Sequence, residues 1–282
     1  MSVSETIAAV PALSLDSLTL TDTDPRDLIR SAHRAGFELI SLWLQSPAFY
    51  PKALVTVEIA DECNALLERT GVRVHGFEAI DLTTADAVLA QKPMLELGAK
   101  LGAKSVVAMN NRHRERSEVI DALQVLVKLA EDHGLAVNLE PLCVGALRGL
   151  AAARDLIADA GVDAGIVFDS YHFARNAEPL SMLAQMEPGL IRHVQFSDAP
   201  ANSPRENWAM ESGTERLYPG EGDFALADMA RLLPRDVPWA VEAPRISWTK
   251  AGVPADEQAA KAMAGLRDLL DRVQPAPENQ LS

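Results

Sequence analysis

The chain has 282 residues, of which 48% are hydrophobic and 23% charged, and its net charge is −14. This composition supplies enough apolar material for one large core, and the length is common for a single α/β barrel. The acidic charge argues against a nucleic-acid or anionic-membrane partner, because both need a basic face. No run approaches the roughly 20 apolar residues of a membrane span, and the first residues lack the pattern of a secretory signal. Two unpaired cysteines, Cys63 and Cys143, favour a reducing, cytoplasmic setting.

Short β-branched apolar runs alternate along the chain with longer stretches of helical periodicity. Helices are predicted over 25–35, 115–133 and 256–272, the first of them between Pro25 at a first-turn position and the cap residue Gly36. Eight strands are predicted over residues 12–20, 37–44, 72–80, 103–109, 135–140, 164–169, 191–198 and 238–243.

Strands that are buried on both faces and separated by single helices form a parallel sheet with right-handed crossovers. Eight such units in an uninterrupted chain predict a single-domain (β/α)₈ TIM barrel, and an open doubly wound sheet is the alternative. The barrel is expected over residues 12–273, with a flexible N-terminus over 1–11 and a flexible tail over 274–282.

Polar residues mark the ends of the four later strands, where the active sites of such barrels lie. Glu140 ends the fifth strand and Asp169 the sixth, with His172 three residues further on. Gln195 lies in the seventh strand and Glu242 ends the eighth. Three carboxylates converging above one barrel axis would repel one another, so a bound cation is the natural way to hold them together.

The motifs NLEP, FDSYH, HVQFSDAP, YPGEGDF and WAVEAP resemble those of the xylose-isomerase-like TIM-barrel superfamily, the AP-endonuclease family 2 type. The resemblance extends from about residue 12 to about 272 and implies that Glu140, Asp169, Gln195 and Glu242 ligate one divalent metal. Many relatives carry histidine where this chain has Gln195. Because an amide oxygen makes the ligand set all-oxygen, we expect Mn²⁺, Mg²⁺ or Co²⁺ rather than Zn²⁺. HVQFSDAP also resembles the corresponding strand of 3-dehydroshikimate dehydratases, which carry glutamine there.

Five further residues are candidates for substrate binding: His75, Arg112, His193, Arg216 and Trp43. Arg216 resembles an arginine that faces substrate in relatives, although it could merely anchor its loop. His193 could equally be a core histidine and Trp43 a core tryptophan. Arg112 could lie at a solvated helix start. For the proposed ligand Asp169, helix capping is the alternative role.

The expected function is metal-dependent isomerisation or epimerisation of a small sugar or polyhydroxy carbonyl compound through an enolate. Glu140 and Glu242 are the candidate bases, and His172 is the candidate acid if a hydroxyl departs. A dehydratase of the dehydroshikimate or inosose type is the first alternative. A non-catalytic sugar-binding barrel is the second. The substrate, the metal and the oligomeric state, including a homo-oligomer, stay open.

Overall fold

The computed structural model describes residues 10–45 and 50–273, and eight parallel strands within them close into a barrel in the order β1 to β8. This confirms the predicted (β/α)₈ TIM barrel, and each strand falls within a predicted segment except β3, which ends one residue beyond the predicted 72–80. The strands are β1 Leu13–Leu15, β2 Leu39–Trp43, β3 Arg73–Asp81, β4 Ser105–Met109, β5 Ala136–Leu139, β6 Gly165–Asp169, β7 Ile191–Phe196 and β8 Trp239–Val241.

Helices connect the strands on the outside of the barrel. The three predicted helices are present, and the first has the predicted bounds, capped by Asp24 and by Gly36 at φ 85°. The twelve described α-helices are α1 Pro25–Ala35, α2 Val57–Thr70, α3 Ala85–Leu89, α4 Lys92–Lys100, α5 Arg116–Glu131, α6 Leu150–Ala160, α7 Ser170–Arg175, α8 Leu180–Ala184, α9 Trp208–Thr214, α10 Leu226–Ala230, α11 Ile246–Lys250 and α12 Ala255–Arg272.

The first strand is much shorter than the predicted segment 12–20. After β1 the chain turns into a 3-10 helix over Ser17–Leu20. Two hydroxyls hold this turn against neighbouring strands, because Ser17 Oγ donates to the Ser41 carbonyl at 2.7 Å and Thr19 Oγ1 to the Val241 carbonyl at 2.7 Å. The strand therefore ends at Leu15, directly before Asp16.

The main apolar core lies between the strands and the surrounding helices. Along β5, Val137 and Leu139 belong to this core, whereas Asn138 and the following residue Glu140 do not. Because side chains alternate along a strand, Asn138 and Glu140 turn to the barrel interior. On the outside, a Cβ at Gly98 would lie 2.3 Å from Cε1 of Phe77, so only glycine lets α4 pack this closely on β3.

The predicted flexible ends lie outside the described residues, apart from residues 10 and 11. No described helix combines the length and the apolar character that crossing a membrane requires.

Candidate metal centre

The four predicted metal ligands lie at the C-terminal end of the barrel, where the parallel strands all terminate. Glu140 directly follows β5, Asp169 ends β6, Gln195 lies near the end of β7 and Glu242 directly follows β8. All four are buried. Gln195 is in register with Asp169 on the neighbouring strand. The topology thus brings together residues that lie up to about a hundred positions apart in the chain.

A cavity of about 340 Å³ lies at this end of the barrel, within the size range of small-molecule sites. Its lining combines strand ends with the loop after β7. The lining residues that carry the argument below are Trp43, Glu78, Glu140, His172, Arg216 and Glu242.

Both carboxylate oxygens of Asp169 have structural partners. Its Oδ1 accepts hydrogen bonds from the backbone N–H groups of Tyr171 at 2.6 Å and His172 at 3.2 Å, so it caps α7. Its Oδ2 lies 2.8 Å from Nη1 of Arg216. Burial by itself would raise the pKa of Asp169, but Arg216 and His172 lower it below its usual value. Asp169 therefore caps α7 through Oδ1, while its Oδ2 faces Arg216.

Arg216 comes from the long loop after β7, yet its guanidinium is buried among the acids. Nη1 lies 2.8 Å from Oδ2 of Asp169 and 3.2 Å from Oε2 of Glu242. Nε donates to the Ser212 carbonyl at 2.7 Å, which fixes the side chain against α9. Although burial opposes its charge, the two carboxylates raise the pKa of Arg216. Arg216 is therefore a permanent cation in the centre and also lines the cavity.

The two glutamates carry pKa values far from their usual range. Burial raises the pKa of Glu242 to about 8 against the opposing effect of Arg216, and the charges of Asp169 and Asp16 add to the increase. Burial also raises the pKa of Glu140 well above its usual value, and the charges of Glu242 and Asp169 raise it further. Perturbed acids that face a cavity are typical of functional sites.

Gln195 is held by two carboxylates through its amide nitrogen. Nε2 donates to Oδ2 of Asp16 at 3.0 Å and to Oε1 of Glu242 at 3.1 Å. Its carbonyl oxygen, Oε1, is buried and has no hydrogen-bond partner among the described residues. A buried amide oxygen without a partner is costly in free energy, which indicates that a bound species such as a cation contacts this oxygen.

Asp16 is the residue of this centre that the sequence analysis missed. It follows β1 directly and is fully buried. Nε2 of His75 lies 3.0 Å from its Oδ1, and Nε2 of His193 lies 3.1 Å from its Oδ2. Although burial would raise the pKa of Asp16, the two histidines lower it below its usual value. The rule that found Glu140, an acid at the end of a strand, also applies to Asp16.

Glu78 near the end of β3 is a second acid to which the sequence analysis gave no role. It is buried, lines the cavity, and its Oε1 has no hydrogen-bond partner among the described residues. Burial, Glu242 and Asp16 raise the pKa of Glu78 well above its usual value.

His172 lies on α7 with its ring between Cys143 and the acids. Nδ1 accepts the backbone N–H of Cys143 at 3.2 Å, so the proton belongs on Nε2, which lies 3.6 Å from Oε1 of Glu140. Burial lowers the pKa of His172 to about 4. The imidazole is therefore neutral at physiological pH, and Nε2 is the ring nitrogen that carries the hydrogen.

The candidate substrate contacts separate into two groups. Trp43 and Arg216 line the cavity. His75 and His193 do not line the cavity. Both pack against Asp16 deeper in the barrel, and their two ring centroids lie 4.5 Å apart. Arg112 is exposed in the segment before α5 and does not line the cavity. This position agrees with its alternative role at a solvated helix start.

Two sets of three side chains bring ligand atoms within 4.8 Å of one another at this end of the barrel. They are Glu140, Asp169 and His172, and Asp16, Glu78 and Glu242. Arg216 connects the sets through Asp169 and Glu242.

These residues fit a divalent ion with oxygen ligands. The buried Oε1 of Gln195 lacks a partner among the described residues. Burial raises the pKa values of both glutamates, and repulsion from neighbouring carboxylates adds to the shift, from Glu242 and Asp169 for Glu140 and from Asp169 and Asp16 for Glu242. A cation would satisfy the amide oxygen and relieve that repulsion at the same time.

The fold and this centre define a class of proteins, α/β barrels with a carboxylate-rich site at the C-terminal strand ends. The chain belongs to the xylose isomerase-like TIM barrel family, whose model matches residues 29–269. This confirms the resemblance found in the sequence motifs. Among curated proteins, none matches the chain.

Solved structures share the fold at low sequence identity. An IolI protein with a bound zinc atom is 18% identical, with a TM-score of 0.78 over 93% of this chain and 99% of that one. A D-allulose 3-epimerase from Methylomonas sp., in complex with D-allulose, is 16% identical, with a TM-score of 0.68 over 92% and 97% of the two chains.

A third similar structure is a fusion of a xylose isomerase-like TIM barrel with a 4-hydroxyphenylpyruvate dioxygenase, 18% identical with a TM-score of 0.77. The match covers 96% of this chain and 46% of the fusion protein, so the chain spans about half the length of that relative.

Proposed function

We propose that this protein is a divalent-metal-dependent isomerase or epimerase of a small polyhydroxylated carbonyl compound. The observation that carries the proposal is the pair of buried glutamates with raised pKa values, Glu140 and Glu242, beside Asp169 and the unpartnered oxygen of Gln195. A ketose is a reasonable substrate class, because an epimerase of the same fold has been solved with D-allulose.

Glu140, Asp169, Gln195 and Glu242 would hold the ion, with the all-oxygen set favouring Mn²⁺, Mg²⁺ or Co²⁺. When bound, the ion supplies Lewis acidity that polarises a carbonyl oxygen. Arg216 adds a fixed positive charge to the same centre, which stabilises negative charge developing on a substrate oxygen.

The two glutamates carry the proton transfers. Without a metal the pKa of Glu242 is about 8, and a bound ion holds Glu242 as the carboxylate, which is the form that takes up a proton. One glutamate removes the proton alpha to the carbonyl, and the C–H electron pair becomes that of an enolate. The other returns a proton to the same carbon or to its neighbour. Return to the opposite face of the same carbon inverts it. Return to the neighbouring carbon moves the carbonyl, provided that the hydroxyl proton passes from its oxygen to the former carbonyl oxygen.

For His172 we propose a hydrogen-bonding role instead of the acid role expected from the sequence. A neutral imidazole with its hydrogen on Nε2 is a poor proton donor in a chemical step but a good hydrogen-bond donor. We infer that His172 orients Glu140 or a substrate hydroxyl through Nε2.

A dehydratase is the second candidate, because the strand carrying Gln195 resembles that of 3-dehydroshikimate dehydratases. The first step would be the same loss of the alpha proton. A non-catalytic sugar-binding barrel would need none of these perturbed acids.

The test is to strip the purified protein of metal, reload it with Mn²⁺ and incubate it in D₂O with ketoses, inososes and 3-dehydroshikimate. An isomerase or epimerase incorporates deuterium at the alpha carbon without new ultraviolet absorbance. Elimination gives a conjugated or aromatic product that absorbs. If no compound exchanges hydrogen or gives a product, and the protein binds no Mn²⁺, both enzyme proposals are refuted and a non-catalytic sugar-binding barrel is the hypothesis that is left.

A further inference from the structure

The carboxylate of Asp16 is hydrogen-bonded to three side chains, those of Gln195, Ser14 and His75, and lies beside the ring of His193. Oδ2 accepts from Nε2 of Gln195 at 3.0 Å, and Oδ1 accepts from Oγ of Ser14 at 2.9 Å. Nε2 of His75 lies 3.0 Å from Oδ1, and Nε2 of His193 lies 3.1 Å from Oδ2. All of these side chains are buried, so Asp16 has little freedom to move.

Gln195 can present either of two groups of nearly equal shape to a metal. Only its carbonyl oxygen can ligate, because an amide nitrogen with two hydrogens has no lone pair to offer. The direction of the amide therefore decides whether Gln195 is a ligand at all. A carboxylate accepts hydrogen bonds and donates none, so a neighbouring carboxylate selects the –NH₂ group and turns the oxygen away from itself.

Two carboxylates contact the Gln195 amide nitrogen, those of Asp16 and Glu242. Glu242 belongs to the proposed ligand set, so its oxygens would be shared with the ion. Asp16 stands outside that set and is anchored from below by His75 and His193.

We propose that Asp16 is a positioning residue that fixes the orientation of the Gln195 amide, with its –NH₂ group on Asp16 and its carbonyl oxygen turned to the metal. His75 and His193 hold Asp16 in place and act on the centre only through it. This inference rests on the proposed metal centre. It assigns a function to the Asp16–His75–His193 layer that direct substrate binding does not explain.

The test is a double-mutant cycle read out as Mn²⁺ affinity, by calorimetry and by electron paramagnetic resonance. Asp16→Asn keeps the shape but adds a donor that can pair with the Gln195 oxygen and reverse its amide. We expect Mn²⁺ binding to weaken by about 10–100-fold, the usual effect of losing such a partner. Gln195→Glu provides the second background, since its two oxygens are equivalent and have no orientation to select.

In the Gln195→Glu background, Asp16→Asn should leave Mn²⁺ affinity unchanged or improve it, because it removes a like charge. The matched control is Asp198→Asn. Asp198 is also buried and lies two residues after the end of β7, but its oxygens accept from the backbone N–H groups of Ala199, Gly220 and Phe224 instead of from Gln195. That variant should lose thermal stability without losing Mn²⁺ affinity.

The outcomes separate the two proposals. A wild-type protein that binds no Mn²⁺ refutes the metal centre itself. A wild-type protein that binds Mn²⁺ while Asp16→Asn binds it equally well refutes the orienting role alone. Equal weakening by Asp16→Asn in both backgrounds also refutes it, since Asp16 would then only support the fold. If Asp16→Asn does not fold, Ser14→Ala replaces it in the same cycle. We then expect a smaller loss of Mn²⁺ affinity in the protein that keeps Gln195, and no loss in the Gln195→Glu background.

Discussion

Nη1 of Arg216 lies 2.8 Å from Oδ2 of Asp169, and both side chains are buried. The same nitrogen lies 3.2 Å from Oε2 of Glu242, so one cation serves acids at the ends of β6 and β8. The loop after β7 thereby contributes a charge to the centre as well as covering it. Arg216 both anchors its loop and faces the cavity, which combines the two roles considered from the sequence.

Replacing Arg216 should therefore destabilise the whole protein. Arg216→Met removes the cation and leaves Asp169 buried without its ion partner, and breaking such a pair costs about 3–5 kcal/mol in unfolding free energy. Urea unfolding of the metal-free protein measures this. Arg116→Met, which breaks an exposed pair with Asp159, is the control and should cost under about 1 kcal/mol. Equal losses in the two variants would contradict the structural role.

Glu242→Gln should abolish most activity while leaving the fold intact. The change is isosteric and removes a base, so turnover should fall by at least about 10²-fold. Turnover is measured at saturating Mn²⁺, with bound metal quantified separately. The exposed Glu206→Gln in the loop after β7 is the control and should retain parental activity. Near-parental turnover in Glu242→Gln with metal bound would leave Glu140 as the only base.

The stability of the metal-free protein should fall as the pH rises from 6.5 to 8. Glu242 has a folded pKa of about 8 and an ordinary value of 4.5, so the folded state holds more protons across this window. Glu140 and Glu78 shift in the same direction. The lowered pKa values of His75 and His172 act oppositely, but only below their ordinary value of 6.5.

Thermal unfolding at several pH values, with and without saturating Mn²⁺, measures this dependence. Each titrating group changes the free energy of unfolding by at most about 1.4 kcal/mol per pH unit. Bound Mn²⁺ should flatten the slope, because the carboxylates are then ionised throughout. A metal-free protein whose stability rises between pH 6.5 and 8 would show that these acids are ionised in the folded state.

His172→Gln should lower kcat/KM by about 10–10²-fold if His172 acts as a hydrogen-bond donor. A pKa of about 4 keeps the ring neutral from pH 5 to 9, so the shape of the pH–rate profile should not change in the variant. Loss of a limb of the profile in His172→Gln would instead make His172 the proton donor, as first expected from the sequence.

Arg112→Ala should leave KM within about twofold of the parent, because loss of an exposed side chain that touches no substrate removes no binding energy. Steady-state kinetics on the substrate identified above measure this. A tenfold increase in KM at low ionic strength would bring Arg112 back as a substrate contact.

The sequence by itself determined the strand segments and the end of the barrel at which chemistry occurs. Apolar runs fixed where the strands lie, and the common direction of parallel strands placed Glu140, Asp169, Gln195 and Glu242 at one end. The strand positions follow from the local hydrophobic pattern, and the location of the four residues follows from the parallel topology. Both can be inferred from one sequence.

Only the tertiary structure decided which of the other polar residues reach the centre. Closure of the barrel between β1 and β8 brings Asp16 to Gln195 across 179 positions, and strand register puts His193 one layer below Gln195. The path of the loop after β7 carries Arg216 inward, while Arg112 stays outside. Register and loop paths depend on packing between distant segments, and a one-residue shift would reverse which side chains face inward.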